Sequence, residues 1–331
     1  MDIFKLDPVC KEHCWGNYHL AQDYGKTPGF TRVGESWELS CDHSAPSTIA
    51  DPRHGGKTLL SHLYESGEDL LGSNCSRFSQ FPLKLSLIDT SLLPSLHVHP
   101  QERGRSTAAH RENAEILHII DCAQDAYLYL GPRRALTRRE LKKAAEEGKL
   151  ESLLNRILVH PGETHCIRPG VLHGVGPGIL AAQVCSTSDR LYRLDSGTCG
   201  PTPEPEEVEK GIEFSNLEPG KASRPENMRY FPSKDYTVEL KQVNGNHVGQ
   251  VDGDSFAAVM VLDGSGILRG KNAFIPFYST DTIFLGAGCG PVTVEGICEL
   301  MLVKIPPVTP RYRIPLFHSA QRSFTMPQQV H

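Results

Sequence analysis

The chain has 331 residues, of which 39% are hydrophobic and 22% are charged, and its formal net charge is -5 at pH 7. This composition is ordinary for a globular protein and excludes a disordered or fibrous chain. The net charge is small and spread along both halves, which argues against a general binding surface for nucleic acid or anionic lipid, so we expect small-molecule chemistry.

Short apolar runs recur along the chain, bounded by Gly, Pro, Asn or Asp, and they predict an all-β sandwich or barrel. The runs cover residues 81–89, 115–120, 126–130, 178–185, 255–262 and 297–304. Two stretches have helical spacing instead: residues 57–71, which are rich in leucine, and residues 137–154, which begin with Thr137 and Glu140 in a capping box. We expect both to be helices that decorate the β core.

Residues 201–227 hold five prolines and seven glutamates with almost no apolar periodicity, which predicts a connection between two domains. The first domain is expected at residues 1–200, a second, smaller one at residues 228–305, and a C-terminal tail at residues 306–331. Within the second domain, the sequence V-L-D-G-S-G at residues 261–266 predicts a hairpin turn.

Ten cysteines are scattered along the chain, and no two of them form a C-x-x-C pair. This spacing predicts reduced thiols and a cytoplasmic protein. The first six residues lack the apolar run of a signal peptide, and no segment approaches the ~20 apolar residues that span a bilayer, so we expect no membrane association. The sequence leaves the oligomeric state open.

Candidate metal ligands occur at three places in the first half. His97 and His99 stand two apart in a strand-like run, so their imidazoles project from the same face. Glu115 begins the next strand-like run, and His173 follows a Pro-Gly turn and precedes a further strand-like run. Three imidazoles and one carboxylate suit a divalent transition metal with open positions for substrate or water, and the ligand types leave Zn, Mn, Fe and Ni open.

The order of these motifs favours a metal site, although an H-x-H pair alone is weak because histidines also fall two apart on surfaces. The pair, a strand-borne Glu and a P-G-x-x-H turn follow one another as in cupin barrels. His118 is left out because it lies three residues after Glu115 and so projects from the opposite face of the strand. His160 and His165 are expected to be surface or supporting residues.

Several separate motifs resemble the type I mannose-6-phosphate isomerases, or phosphomannose isomerases, in their short bacterial form within the cupin superfamily. The motifs are W-G at residues 15–16, G-E-S-W-E-L-S at 34–40, F-P-L at 81–83, H-V-H-P at 97–100, P-G at 161–162 and S-D-R-L-Y-R at 188–193. The resemblance covers nearly the whole chain. It implies an all-β protein of two cupin-type jelly-roll barrels with a few decorating helices.

The resemblance also implies a zinc-dependent aldose–ketose isomerase that interconverts mannose 6-phosphate and fructose 6-phosphate through an enediolate. By motif position, His99, Glu115 and His173 fall on family ligands, whereas His97 stands where the family has a glutamine ligand. Arg193 falls on an arginine that acts at the substrate, so we assign it to stabilise the enediolate or the phosphate.

Three positions depart from the family pattern and are placed at the substrate. The family has lysines where Ser86 and Asn113 stand and a glutamate where Gln183 stands. Lys84 lies two residues before Ser86 and projects from the same strand face, so it is the candidate replacement for a missing ammonium group. The alternative for Lys84 is a solvent-facing lysine in an edge strand.

Four functions remain open from the sequence. The first is isomerisation of mannose 6-phosphate. The second is a diverged isomerase or epimerase for another, unphosphorylated sugar, because losing two lysines lowers the positive potential that a phosphate seeks. The third is a sugar-binding cupin without turnover, and the fourth is metal-dependent oxygen chemistry, because many cupin oxygenases also use three His and one Glu.

Overall fold

The computed structural model describes residues 2–27, 29–100, 115–187, 191–219 and 229–307, together with the strand at residues 317–319. The strands are β1 (Ile3–Asp7), β2 (Val9–Lys11), β3 (Glu35–Leu39), β4 (Thr48–Ile49), β5 (Leu83–Thr90), β6 (His97–Val98), β7 (Glu115–Cys122), β8 (Tyr127–Pro132), β9 (Leu154–Leu158), β10 (Thr164–Ile167), β11 (His173–Val175), β12 (Ile179–Ser186), β13 (Tyr192–Arg193), β14 (Tyr230–Pro232), β15 (Thr237–Val251), β16 (Ala257–Gly270), β17 (Ala273–Tyr278), β18 (Thr282–Leu285), β19 (Gly290–Lys304) and β20 (Phe317–Ser319). The α-helices are α1 (His19–Gln22), α2 (Leu59–Ser66), α3 (Arg138–Glu146) and α4 (Pro205–Phe214). Short 3-10 helices cover Pro52–His54, Glu68–Leu70, Ser73–Cys75 and Leu150–Leu153.

The strands pair antiparallel into three sheets. A six-stranded sheet has the order β10-β7-β12-β5-β3-β2, and a five-stranded sheet has the order β13-β6-β11-β8-β9. A nine-stranded sheet follows the order β14-β15-β19-β16-β18-β1-β4, with β17 beside β16 and β20 beside β15. The all-β fold class predicted from the sequence is confirmed.

The first barrel, as we call the six- and five-stranded sheets together, encloses its own core. On β7, Leu117 and Ile119 face this core, whereas Ile116 faces a second core shared with the nine-stranded sheet. On β12 the same alternation separates Ala181 from Ala182. Because side chains alternate along a strand, Glu115 lies on the same inner face as Leu117. The six-stranded sheet therefore buries both faces, and its inner face carries the candidate site.

The nine-stranded sheet forms the second barrel, as we call it, and is also covered on both faces. Val259 and Val261 of β16 face its own core, and Met260 between them faces the core shared with the six-stranded sheet. Burial on both faces explains why the runs at residues 255–262 and 297–304 lack polar alternation.

The two predicted helices are present. In α2 the Thr58 side chain accepts a hydrogen bond from the Ser61 amide, and in α3 Thr137 and Glu140 form the expected capping box. The Pro/Glu-rich connection differs from expectation because it contains α4, which begins with Pro205. The helix packs on the outer face of the five-stranded sheet, where Ile212 enters a small apolar core with Val98 of β6 and Leu141 of α3.

The division into domains at residues 200 and 228 stays a prediction. The strand pairing assigns β1 and β4, from the first fifty residues, to the nine-stranded sheet, where Phe4 lies opposite Phe284. The N-terminal segment thus links the two barrels.

The predicted hairpin turn at residues 261–266 is wrong, because β16 runs continuously through it from Ala257 to Gly270. The register against β19 instead shifts between Val261 and Asp263, which forms a β-bulge at Leu262 just before Gly264. Gly264 has a φ of 86°, and a Cβ there would collide with the carbonyl oxygen of Ile297. Glycine is required at this position next to the bulge, since it adopts positive φ without steric cost and leaves room for the neighbouring strand.

The prediction that all cysteines are reduced thiols is also wrong. Cys14 and Cys199 form a disulfide, with their Cα atoms 6.0 Å apart and 185 residues between them in sequence. The two cysteines meet because Thr198 of the Cys199 loop bonds to the carbonyl of Leu93, close to the segment after Cys14. The other eight cysteines are not disulfide-bonded.

Candidate metal centre and cavity

The four predicted ligands converge at one point between the two sheets of the first barrel. His97 and His173 come from the adjacent strands β6 and β11, where they lie directly opposite each other. Glu115 comes from β7 in the facing sheet, and His99 follows β6. One ligand atom from each residue lies within 4.8 Å of all the others.

Hydrogen bonds to the backbone fix the orientation of two of these imidazoles. Nδ1–H of His97 donates to the carbonyl of Ser95 at 2.9 Å, and Nδ1–H of His173 donates to the carbonyl of Val171 at 2.8 Å. Each bond fixes the tautomer in which Nε2 carries a free lone pair. Both Nε2 atoms are therefore prepared for metal coordination.

The carboxylate of Glu115 lies between two imidazoles. Its Oε2 is 3.2 Å from Nε2 of His99 and 3.3 Å from Nε2 of His173. Burial raises the pKa of Glu115, but its close contacts with His173 and His99 outweigh burial and hold the pKa well below its usual range. Burial, and then the neighbouring His173 and His99, lower the pKa of His97 well below its ordinary value. The cluster thus holds one carboxylate and neutral His97, the protonation states that a divalent cation requires.

A cavity of about 990 Å³ opens at this cluster, with His97, His99 and Glu115 in its wall. It continues away from the cluster toward α2, where Tyr64 lines it. This volume is at the upper end of the range for small-molecule sites, so a sugar or sugar phosphate fits next to the ligands.

Lys84 also lines the cavity and is part of the same row of inner-face residues as Glu115. Lys84 lies opposite Cys185, and the pairing of Val184 with Ile116 places Cys185 beside Glu115. One strand therefore separates Lys84 from Glu115, which puts their Cα atoms ~10 Å apart. The half-buried Lys84 belongs to a central strand, so the solvent-facing edge-strand alternative does not apply.

The three departures from the family pattern have different positions. Gln183 lines the cavity, and Ser86 lies directly opposite it on β5, fully buried. The Ser86 hydroxyl has no hydrogen-bond partner among the residues that the structure describes. Asn113 lies outside the described residues. The assignment of these three residues to the substrate stays a prediction.

Arg193 is not part of the cavity wall, although its Cα lies opposite that of His97. Its guanidinium donates from Nε and Nη2 to the two carboxylate oxygens of Glu207 in α4, both at 2.9 Å, and from Nη1 to the carbonyl of Pro201. The structure thus brings Arg193 to α4 and not to the metal ligands. Its role at the substrate stays a prediction.

Three other histidines, His118, His160 and His165, lie outside the ligand cluster. His118 faces the core between the barrels, as its position in the strand predicted, and its Nδ1 is 2.8 Å from the Thr164 hydroxyl. His160 is exposed, with Nδ1 3.0 Å from Glu163. His165 is fully buried, so a surface position is excluded for it.

Two tryptophans and a glutamate of the cavity wall were not recognised as site residues from the sequence. Trp15, Glu35 and Trp37 line the cavity, and the Trp37 indole N–H donates to Glu35 at 2.6 Å. The sequence signal for these residues is the alternation in G-E-S-W-E-L-S, which places Glu35 and Trp37 on one face of β3.

The chain is similar in sequence and structure to known mannose-6-phosphate isomerases. The family model for the mannose-6-phosphate isomerase cupin domain matches residues 227–305. Mannose-6-phosphate isomerase ManA of Bacillus subtilis is 29% identical over 312 residues, which cover 89% of this chain and 96% of that protein. A crystal structure of mannose 6-phosphate isomerase from Bacillus subtilis superposes with a TM-score of 0.77 at 25% identity, covering 92% of this chain and 99% of the other.

A phosphomannose isomerase variant from Salmonella typhimurium shares the fold, with a TM-score of 0.73 at 16% identity over 92% of this chain and 99% of the other. In the described part of the chain, no helix has the length and apolar character needed to cross a bilayer. The cupin-type jelly-roll fold is confirmed, and so is the resemblance to the mannose-6-phosphate isomerases, which extends over about nine tenths of the chain.

Proposed function

We propose that the chain is a metal-dependent aldose–ketose isomerase that interconverts mannose 6-phosphate and fructose 6-phosphate. The observation that carries the proposal is the convergence of His97, His99, Glu115 and His173 within 4.8 Å at the wall of a sugar-sized cavity. The similarity to isomerases over nine tenths of the chain supports the reaction class.

The donor set fits a divalent cation. Nε2 of His97 and of His173 are oriented by backbone hydrogen bonds, and Glu115 supplies an anionic oxygen between two imidazoles. A zinc ion, or alternatively Mn, Fe or Ni, supplies a Lewis acid that polarises the sugar carbonyl when bound.

Lys84 supplies the positive charge that an enediolate needs. The reaction moves a proton between C1 and C2 and leaves negative charge on the sugar oxygens in between. Lys84 is the only Lys or Arg among the described residues of the cavity wall, and it lies in the same row as Glu115. Its ammonium group therefore stabilises either this developing charge or the phosphate of the substrate.

A second candidate substrate is a sugar without phosphate. The described cavity wall carries the carboxylates of Glu35, Asp42, Asp69 and Glu115 against the single ammonium of Lys84. Carboxylates accept hydrogen bonds from sugar hydroxyls and repel a phosphate dianion, so this lining favours a neutral sugar.

Metal analysis combined with an isomerase assay tests the proposal. We expect one tightly bound divalent ion per chain after dialysis, and conversion of mannose 6-phosphate measured by coupled production of glucose 6-phosphate. His99→Ala and His173→Ala should both lose the metal. His160→Ala is the matched control, because this exposed imidazole lies outside the cluster and its removal should leave the metal content unchanged.

Two outcomes would contradict the proposal. Full metal content in His99→Ala and His173→Ala would refute the ligand assignment. A metal-loaded protein that converts neither mannose 6-phosphate nor free mannose or lyxose would refute the isomerase. Conversion of only the free sugars would favour the second substrate, whereas bound iron with oxygen uptake would indicate oxygenase chemistry.

A further inference from the structure

We propose that Trp37 is the positioning residue of Lys84, holding its ammonium group inside the cavity for the charged part of the substrate. The inference rests on the proposed function for the role of Lys84 in turnover, but the contact itself is independent of it. Nζ of Lys84 lies 4.4 Å from the centroid of the Trp37 ring, within the range of a cation–π interaction.

The two side chains meet because their strands are neighbours. Trp37 of β3 lies opposite Ser86 of β5, so it is diagonal to Lys84 on the same inner face of the six-stranded sheet. Both side chains line the cavity and are partly shielded from water. Cation–π attraction strengthens as the ammonium loses water, so the ring is an effective partner here.

The Trp37 ring is itself held in place. Its indole N–H donates to Oε2 of Glu35 at 2.6 Å, and the other oxygen of Glu35 lies 3.9 Å from Nε2 of His13. The His13 ring stacks on Trp15 with centroids 4.5 Å apart. The indole therefore presents a fixed face to the cavity and does not rotate freely about its side-chain torsions.

A lysine side chain has a flexible four-carbon stem and many accessible rotamers. Contact with the ring restricts those rotamers and keeps the charge in the cavity before substrate arrives. Preorganised charge of this kind lowers the free energy of the transition state more than a mobile charge does.

The same ring offers a matched control. Nζ of Lys11 lies 4.7 Å from the Trp37 centroid, yet Lys11 is not part of the cavity wall. Lys11→Ala therefore removes an ammonium from the same ring without touching the cavity. If only general packing around Trp37 mattered, Lys11→Ala and Lys84→Met would have similar effects on turnover.

The first test measures the contact by NMR. Reductive methylation with ¹³C-formaldehyde labels the lysines of the full chain, and the Lys84 methyl signal is identified by its loss in Lys84→Arg. Ring-current shielding should move this signal upfield of the other lysine signals, apart from that of Lys11, whose Nζ lies over the same ring. We expect the shift to vanish in Trp37→Leu, to persist in part in Trp37→Phe, and to stay unchanged in Lys11→Ala.

The second test is a double-mutant cycle on kcat/KM with the metal-loaded protein. Trp37→Leu and Lys84→Met should each lower kcat/KM, Trp37→Leu by about tenfold, and the double variant should be no slower than Lys84→Met, because the two residues act as a unit. Lys11→Ala should keep the kcat/KM of the wild type. Metal content should be equal in all four variants.

Each arm has an outcome that overturns the proposal. An unchanged Lys84 methyl shift in Trp37→Leu would show that the ring does not hold the ammonium, and losses that multiply in the double variant would show independent roles. If Trp37→Leu does not fold, Glu35→Ala, which removes the hydrogen bond to the indole, should reduce the Lys84 shift. Absence of isomerase activity in the wild type would refute the proposed function and leave the NMR result to decide on Trp37.

Discussion

His118 gives a quantitative test of how the two barrels pack. Its side chain is 3% exposed and faces the core between the six- and nine-stranded sheets, where Glu299 and Arg229 of the second barrel are its charged neighbours. Burial lowers the pKa of His118 from 6.5 to about 4; Glu299 raises it and Arg229 lowers it. Folding therefore keeps this imidazole neutral at pH values at which an unfolded chain protonates it.

The sign and size of the effect follow from proton linkage. Between pH 6.5 and about 4 the unfolded chain binds a proton at His118 that the folded chain does not, so stability falls as the pH falls through this window. The full shift in the His118 pKa corresponds to about 3 kcal/mol in the free energy of unfolding. The protein loses about 2 kcal/mol of this stability between pH 7 and pH 4.5. Above pH 7 the contribution of His118 to the pH dependence is close to zero.

Urea denaturation at pH 7 and pH 4.5 measures this loss. We expect His118→Asn, which can keep a bond to Thr164, and His118→Leu, which cannot, to lose about 2 kcal/mol less than the wild type on acidification. All other titrating groups are common to the three proteins and cancel in the comparison. An equal loss of stability in wild type and both variants would refute the burial of a neutral His118 between the barrels.

Two further predictions concern contacts that support the site from outside. Reduction of the Cys14–Cys199 disulfide, which joins cysteines 185 residues apart, should lower the free energy of unfolding by about 2 to 5 kcal/mol. The unfolded, unreduced protein should titrate as eight thiols. A count of ten thiols would contradict the disulfide. Arg193→Ala should slow turnover and retain the metal, as a residue acting on substrate would. Glu207→Gln removes the charge in α4 that pairs with the Arg193 guanidinium. Because Arg193 is expected to act on the substrate directly, this variant should leave kcat nearly unchanged. An equal loss of kcat in both variants would show that Arg193 acts through α4.

Local patterns predicted most of the first barrel and all four candidate ligands. The alternation of side chains in a strand places His97 and His99 together and excludes His118, and it depends only on neighbouring residues. The capping box at Thr137 is equally local, so the start of α3 followed from the sequence. These features could be predicted because no distant part of the chain decides them.

Features that depend on distant segments were not predicted. Nothing in residues 3–7 indicates that they pair with β18, about 280 residues later, because either sheet would bury the same apolar side chains. The spacing of the cysteines gives no sign that Cys14 meets Cys199. The Asp263-Gly264 pair has the chemistry of a tight turn, and only the pairing with the long partner β19 keeps it inside a strand.

The helix α4 is an intermediate case, because a local signal existed but was outweighed by composition. Pro205 at the first helical position, followed by Glu206 and Glu207 in the first turn, is typical of a helix start. Val208, Ile212 and Phe214 supply its apolar side chains, and this short stripe cannot be distinguished from a linker without the surface that it covers.

Lys84 and Ser86 lie on the same strand but differ in their position relative to the cavity. Residues 84 and 86 share the inner face of β5, but residue 86 lies deeper, opposite Gln183 and outside the cavity wall, whereas Lys84 lies in the row that leads to Glu115. Moving a charge by two residues along a strand shifts it by ~6.6 Å without changing its face. The ammonium group of Lys84 is therefore directed at the cavity, but about two residues along the strand from position 86. A substrate bound by Lys84 would accordingly place its anionic group beside Trp37. We therefore expect the Trp37 ring, and not the residues deeper in the barrel, to determine the position of the sugar.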